Sequence, residues 1–501
     1  MQIFSFAPFG YEGSLVEVES DIRRGIPAVD IVGLSDGIVK ESRERMKSAI
    51  VNSGFEFPSE RVLISLSPAD LKKEGAGFDL AMALSILSNK ESFIDKSVLV
   101  IGELELSGKV RGVRGVHAAV ATALANGIHY CVVPLDCCAE ASVPGMNVLG
   151  VQSLSDSVER LKDLSNFKNV KEHSSINDIV FNTDNDEIVK ELRISKSLLD
   201  AIVLSAAGGF HTCLIGAPGC GKTLVATTLL PAIVPELSEE ESQSVTRIYS
   251  IAGLTRPTEK LVTRTPFRMP HQTASIEGIC GGGPNCRPGE ISLAHNGILF
   301  LDEAAEFRSS VLQMLRVPME SRTITLSRAG RSTCYPARFQ LVMAVNPCPC
   351  GNYGSKNKIC LCSAKSVELY WKKFSDPLLD RVAIYYTFEE HEEEEKVSVN
   401  LEEIRKKISR VVKVSRKLYG KKIQELSPYE LSQFCKMSPE ASDILDNFVV
   451  RKDCGTRREL QIMRLALCSA LLEGHDELIT AADMQTAIGD SKLNGFAVSA
   501  A

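Results

Sequence analysis

The sequence predicts an α/β fold in three parts, and three observations predict it. A complete phosphate-loop pattern, Gly216-Ala217-Pro218-Gly219-Cys220-Gly221-Lys222-Thr223, follows a buried-strand run, His211–Ile215, and leads into an apolar helix. Short apolar runs alternate with helical stretches through the first 160 residues. Beyond the acidic run Glu389–Glu395 the pattern becomes wholly helical, to about Asp490.

In chain order, residues 1–160 form an α/β or α+β domain, with Val98–Ile101 and Tyr130–Pro134 as strands and Phe78–Leu87 and Val116–Asn126 as helices. Residues 161–190 are polar, with Lys168, Lys171, Glu172, Asp184, Asp186 and Glu187, and read as a linker. Residues 191–390 carry the phosphate loop in a second α/β domain, and 391–501 form a helical lid. The acidic run reads as a solvated helix start with no function. A chain of 501 residues has room for two or three domains with their own cores.

Composition excludes little. The apolar and charged fractions are ordinary for a globular protein. No run of about 18 apolar residues indicates a membrane span. The start, Met1–Phe6, lacks the basic and long apolar segments of a signal peptide, so the cytoplasm is expected. Fifteen cysteines then read as thiols or metal ligands rather than a disulfide framework. A net charge of −6 argues neither for nor against nucleic acid, because binding surfaces are local.

The chemistry follows from a few stretches. Glycines let the backbone of Gly216–Thr223 turn successive N–H groups onto phosphate oxygens, and the next helix adds the positive end of its dipole. Lys222 is then the residue for the β/γ-phosphates of ATP, and Thr223 for Mg²⁺. The apolar strand Gly297–Leu301 ends in Asp302-Glu303. Asp302 suits Mg²⁺ held through water, and Glu303 suits the general base that polarises the attacking water. A third apolar strand, Phe339–Val345, ends in Asn346, whose amide can orient that water. Arg381 is a candidate for reaching a neighbouring subunit's nucleotide. The alternative for Arg381 is a salt bridge to Asp380. Gly455-Thr456-Arg457 opens a long helix and places Arg457 to sense the γ-phosphate of its own subunit.

These stretches carry a resemblance. With Val32-Gly33-Leu34, Glu41–Arg45, Val51–Pro58, Arg287–His295, Leu299–Glu303 and Asn346-Pro347-Cys348-Pro349-Cys350-Gly351, the chain resembles the YifB/ComM family of magnesium-chelatase-like AAA+ proteins over nearly its whole length. The resemblance implies a Lon-protease-like α+β N-terminal domain. It also implies a P-loop AAA+ core with a helix insertion, a hairpin before Asn346, and a C-terminal helical lid. Asn346, Arg381 and Arg457 become sensor 1, arginine finger and sensor 2. A Lon-like peptidase needs a serine activated by an adjacent lysine. The serine would fall within Lys73–Asp79, where Gly77 stands, and the lysine at His117. The domain is therefore expected to be non-proteolytic.

Two further features bear on substrate. A predicted hairpin runs between Thr323 and Arg338 and carries Arg322, Arg328, Arg331 and Arg338, with no acid between Ser321 and Gln340. In a hexameric ring such hairpins would line a pore with positive charge and grip phosphates along a strand. The alternative is an ordinary solvated basic turn. Arg268 and His271, in the stretch Pro266–Thr273, are read as part of the insertion and as further pore contacts. Cys348-Pro349-Cys350 and Cys360-Leu361-Cys362 can close into a tetrahedral site for structural Zn²⁺, with Lys356, Lys358 and Lys365 offsetting thiolate charge. The alternative there is four reduced thiols.

The expected function is a hexameric, Mg·ATP-driven DNA motor. Its work would be helicase or branch migration on single-stranded or branched DNA, in recombination or DNA uptake, with recombination proteins as partners. The alternatives are a protein-remodelling motor subunit of a metal-chelatase complex and a non-enzymatic DNA scaffold.

Overall fold

The computed structural model describes residues 1–33, 36–68, 76–171, 179–256, 260–328, 331–354, 358–391, 393–452, 455–475 and 478–492. Lys73–Gly75, Glu172, Ala329, Gly330, Lys356 and the last nine residues of the expected lid lie outside them.

The first sheet has eight strands: β1 (Gln2–Ala7), β2 (Ser14–Arg23), β3 (Ala28–Val32), β4 (Arg61–Ser67), β5 (Ser97–Val100), β6 (Tyr130–Pro134), β7 (Asn147–Val151) and β8 (Lys168–Asn169). Their order is β8-β7-β6-β5-β1-β2-β4-β3. The centre is parallel from β7 to β1, and β2 runs antiparallel to both β1 and β4. Helix α1 (Asp79–Leu87) is buried at all nine positions, which explains a sequence apolar everywhere except Asp79 and Ser85. The polar stretch expected as linker contributes β8, whose backbone completes the edge beside β7.

The second sheet has five parallel strands: β9 (Thr212–Ile215), β10 (Phe267–Arg268), β11 (Ile298–Leu301), β14 (Gln340–Val345) and β15 (Ile384–Thr387). The labels β12 (Thr323–Arg328) and β13 (Arg331–Pro336) belong to a separate antiparallel hairpin. The order β10-β11-β14-β9-β15 inserts β14 between the strands that precede the phosphate loop and Asp302. Every residue of β9, β11 and β14 is buried. Continuous apolar runs of this kind belong to parallel strands covered on both faces. In such sheets ligands sit beyond the C-terminal ends of the strands.

Between β10 and β11 the chain inserts a short helix α2 (Ile276–Cys280), a small hairpin (Gly281–Gly282 with Arg287–Pro288) and another short helix α3 (Glu290–Leu293). The hairpin β12–β13 comes immediately before β14, as the resemblance implies. One expectation is corrected: Phe267 and Arg268 lie outside the insertion, because they form the edge strand of the core sheet. Arg268 is held in a two-pronged ion pair with Glu290, at 2.6 and 2.8 Å, rather than directed at a pore.

The lid begins later than its acidic prelude. Phe388–His391 is a short 3₁₀ turn, and Lys396–Ser398 pairs as a strand with Arg193–Ser195 before any long helix starts. The Glu394 carboxylate accepts from the Ser197 N–H and hydroxyl, so this acid braces the junction instead of opening a helix. Helix α4 (Leu401–Leu418) buries Leu401, Ile404, Ile408, Val411 and Ser415, a spacing of three and four residues that keeps one stripe inward. Helices α5 (Thr456–Glu473) and α6 (Ala481–Asp490) complete the bundle. Ile408, Leu465 and Ile488 share one apolar cluster with Phe300 and Val342 of the sheet, so the lid and the core sheet pack as one body. No described helix is long and apolar enough to cross a membrane.

Candidate active site

The phosphate loop turns on two glycines in left-handed conformation, Gly219 (φ +86°) and Gly221 (φ +103°), which residues with a Cβ rarely adopt. Pro218 and Cys220 fill the loop between its ends. A Cβ on Gly216 would lie 2.7 Å from Cys220 Sγ and 2.9 Å from Phe388 Cβ, so the first glycine admits no side chain. Buried Lys222 points its ammonium back into the loop. It donates to the Gly216 carbonyl, to the Ala217 carbonyl at 2.9 Å and to Asn346 Oδ1 at 3.2 Å.

Strand order brings the other predicted groups alongside. The Thr223 hydroxyl donates to the Asp302 carboxylate at 3.0 Å, across 79 residues of sequence. A hydroxyl and a carboxylate this close are hard oxygen donors suited to Mg²⁺ rather than to a soft metal. Glu303 is exposed and sits in left-handed conformation (φ +47°, ψ +49°), with its own N–H donating to Asp302 Oδ1 at 3.0 Å. A non-glycine residue held this way costs about 1–3 kcal/mol, and such residues cluster at functional sites.

Arg381 and Arg457 stand elsewhere. Arg381 precedes β15, at the end of the sheet opposite the phosphate loop. Its guanidinium donates to the Pro377 carbonyl and to Glu320, not to Asp380. Arg457 donates to the other oxygen of Glu320 at 2.9 Å. The sequence expectation set Arg457 on its own subunit's nucleotide; the bond it makes puts it beside Arg381. Glu320 was not foreseen. Its partners lie 61 and 137 residues away, and no local pattern marks it.

The hairpin β12–β13 pairs Arg328 directly with Arg331 near its tip. Arg328 is exposed, whereas the Arg331 guanidinium lies 3.7 Å from the centre of the Phe9 ring, in the N-terminal loop. The Tyr11 N–H donates to Thr333 Oγ1 at 3.0 Å, and the Tyr11 ring meets Tyr335 edge-on. Arg322 donates to the Glu425 carbonyl at 3.1 Å, which ties the hairpin's base to the lid. Arg338 lies with Arg322 on a cavity of about 850 Å³ on the side of the sheet away from the phosphate loop.

In the first domain, a Cβ at Gly77 would face Val113 at 3.9 Å. His117 is fully buried, with its backbone N–H on Glu140 Oε1 at 3.1 Å, and burial pulls its pKa down to about 4. With Gly77 offering no hydroxyl and His117 enclosed, these two positions make no Ser–Lys dyad. Cys348, Cys350, Cys360 and Cys362 do converge, their sulfurs all within 4.8 Å of one another.

The family described as "Magnesium chelatase, subunit ChlI" matches residues 189–396, and "Subunit ChlI of Mg-chelatase" matches residues 18–136. The YifB protein of Escherichia coli is 34% identical over 496 residues, 96% of this chain and 95% of its own length. The chain belongs to the YifB/ComM family of magnesium-chelatase-like AAA+ ATPases. Its YifB/ComM relatives include the competence protein ComM of Haemophilus influenzae, 31% identical over 95% of this chain and 94% of that one. A protein of Mycobacterium tuberculosis is 41% identical over 76% of this chain and 75% of its own length. Membership in the YifB/ComM family points to ATP and Mg²⁺ as the ligands of such a protein.

Proposed function

We propose that this protein is a Mg·ATP-driven DNA motor that works as a hexameric ring of identical subunits, with helicase or branch-migration activity on single-stranded or branched DNA. The observation that carries the ATPase half is the meeting of Lys222 with Asn346 and of Thr223 with Asp302 at the ends of three adjacent strands. The observation that supports the DNA half is the acid-free basic hairpin, with Arg328 exposed and paired across from Arg331. The competence role in the name of the Haemophilus relative favours the same reading.

Within the site, the loop N–H groups and Lys222 bind and orient phosphate. Thr223 and Asp302 would hold Mg²⁺, which supplies charge neutralisation on the phosphate oxygens. Glu303 takes the proton of the attacking water, and Asn346 fixes that water's position. Arg381 and Arg457 lie at the far end of the sheet, tied to one carboxylate. From there they serve a neighbouring subunit's nucleotide, which makes hydrolysis depend on assembly. The N-terminal domain, residues 1–160, acts as scaffold for the hairpin and performs no peptide hydrolysis. Residues 191–390 and 391–501 are the motor core and lid, joined to the first domain through 161–190.

The test is ATP turnover by the purified protein alone and with single-stranded, duplex and four-way-junction DNA, with Lys222→Ala as blank. DNA stimulation that is lost in Arg328→Ala/Arg331→Ala supports the motor and its hairpin. Turnover that ignores every DNA but vanishes in the blank favours the alternative, a protein-remodelling motor subunit of a metal-chelatase type complex; the magnesium chelatase family matches residues 189–396.

A further inference from the structure

We propose that Cys348, Cys350, Cys360 and Cys362 bind one zinc ion, and that this ion braces the phosphate loop from behind. The inference deepens the nucleotide-site reading and rests on it for its second half; the metal site stands on its own geometry.

The sulfur of Cys348 lies 3.3 Å from that of Cys350 and 3.7 Å from that of Cys360, and the last two are 3.6 Å apart. Four thiolates at the usual zinc–sulfur length form a tetrahedron with edges of about 3.8 Å. A disulfide would need sulfurs at about 2.0 Å. The four groups are therefore spaced for a shared cation and not for each other. Thiolates select a soft or borderline metal over Mg²⁺ or Ca²⁺, and four of them around a closed position describe a structural zinc site, each thiol giving its proton to solvent on binding.

Packing holds this arm only in part, through half-buried Cys360 and Cys362 against the core. Cys348 is fully buried, but Ile359 and Leu361, on either side of Cys360, are 82% and 89% exposed. Apolar residues facing water on both flanks leave the thiolates as the groups that fasten the second C-x-C pair to the first.

The first pair is bound to the nucleotide site. Asn346, which accepts from Lys222, lies two residues before Cys348. Between them the Pro347 carbonyl accepts from Trp371 Nε1 at 3.1 Å. The Gly351 N–H returns to the Cys348 carbonyl at 2.9 Å and closes a turn around Cys350. Gly351 has φ +77°, and a Cβ there would lie 2.5 Å from Cδ of Pro218. The cysteine turn thus lies directly against the phosphate loop on one side and continues into Asn346 on the other. An ion at the four sulfurs fixes the turn, and the turn fixes the wall behind Pro218.

The experiment uses the full chain without DNA, so its outcome is independent of the motor reading. Zinc is measured by elemental analysis, and affinity by a fluorescent ATP analogue, before chelation, after it, and after zinc is returned. The expected result is close to one zinc per chain, with occupancy lowered about 10-fold or more in Cys350→Ser/Cys362→Ser. Nucleotide binding should weaken about 10-fold on chelation and recover when zinc returns, as misplacement of a binding group by a fraction of an ångström predicts. Gly351→Ala, which leaves all four thiols in place, should keep its zinc yet bind nucleotide more weakly. A protein that purifies without metal, and whose cobalt(II) form lacks a thiolate absorption band, overturns the site. Full zinc loss with unchanged nucleotide affinity overturns the brace.

Discussion

Glu303 occupies a backbone conformation that costs free energy, while its neighbour Asp302 is fixed by a hydroxyl and a main-chain N–H. The two adjacent acids are thereby given different work. Glu303→Gln should retain nucleotide and slow hydrolysis by about 10²- to 10⁴-fold, the range for loss of a general base. Single-turnover kinetics with equilibrium binding read the two effects separately; weakened binding with an unchanged chemical step would remove Glu303 from the base role. Glu320 is the residue-scale surprise. Its pKa is held down chiefly by the bond from Arg381, then by Arg457. Glu320→Gln should free both guanidiniums and lower the assembled protein's turnover, with little change in nucleotide affinity. Equal loss of affinity would place Glu320 in its own subunit's site. Lys222, Thr223 and Asp302 were legible because their pattern is local and each ends or follows a strand. Glu320 was illegible because its meaning is created by two partners that only tertiary folding delivers.

At the scale of elements, apolar runs announced β9, β11 and β14 almost to the residue, since strands buried on both faces have no polar positions to blur them. Short edge elements were misread. Two residues, Phe267 and Arg268, are too few to show a period, and only backbone pairing with β11 reveals them as strand. The acidic run misled for a different reason: Glu394 is consumed by Ser197 and His391, and the true helix start lies at Asn400, whose side chain caps the Glu403 N–H. Helix α4 joins the lid to the sheet through fully buried Ile408. Ile408→Ala should destabilise the protein by about 2–5 kcal/mol, the usual cost of emptying such a position. Urea unfolding followed by circular dichroism measures it. A cost below about 1 kcal/mol would mean that the lid moves independently of the core.

For the whole molecule, three enclosed imidazoles set the response to acid. Burial depresses His117 to about 4 and His211 and His295 to about 3. The rings of His211 and His295 accept backbone N–H groups, from Leu341 and Arg338, through Nδ1 atoms that must stay unprotonated. Below about pH 6.5 an unfolded chain takes up protons that these folded sites refuse, so their stabilisation is lost as pH falls. Asp79 and Asp490 act the other way. Burial raises them to about 6 and about 7, so they gain protons first in the folded state and favour it as pH falls. Three sites against two leave the unfolded chain with about one extra proton, so stability should decline by about 1 kcal/mol per pH unit from 6 to 5. Urea midpoints at those pH values check this, and a rise would mean that the imidazoles are charged in the fold.

The contact between the N-terminal loop and the hairpin reaches further than adhesion. Gly10 lies so close to Thr333 that a Cβ would stand 2.1 Å from its hydroxyl oxygen, and Phe9 caps Arg331. There is no slack between them. The hairpin is then not a free finger but the short arm of a lever whose long arm is the whole eight-stranded sheet. If the chain is the motor proposed above, a load on Arg331 is felt at Phe9, and a dye fixed at that position would register it.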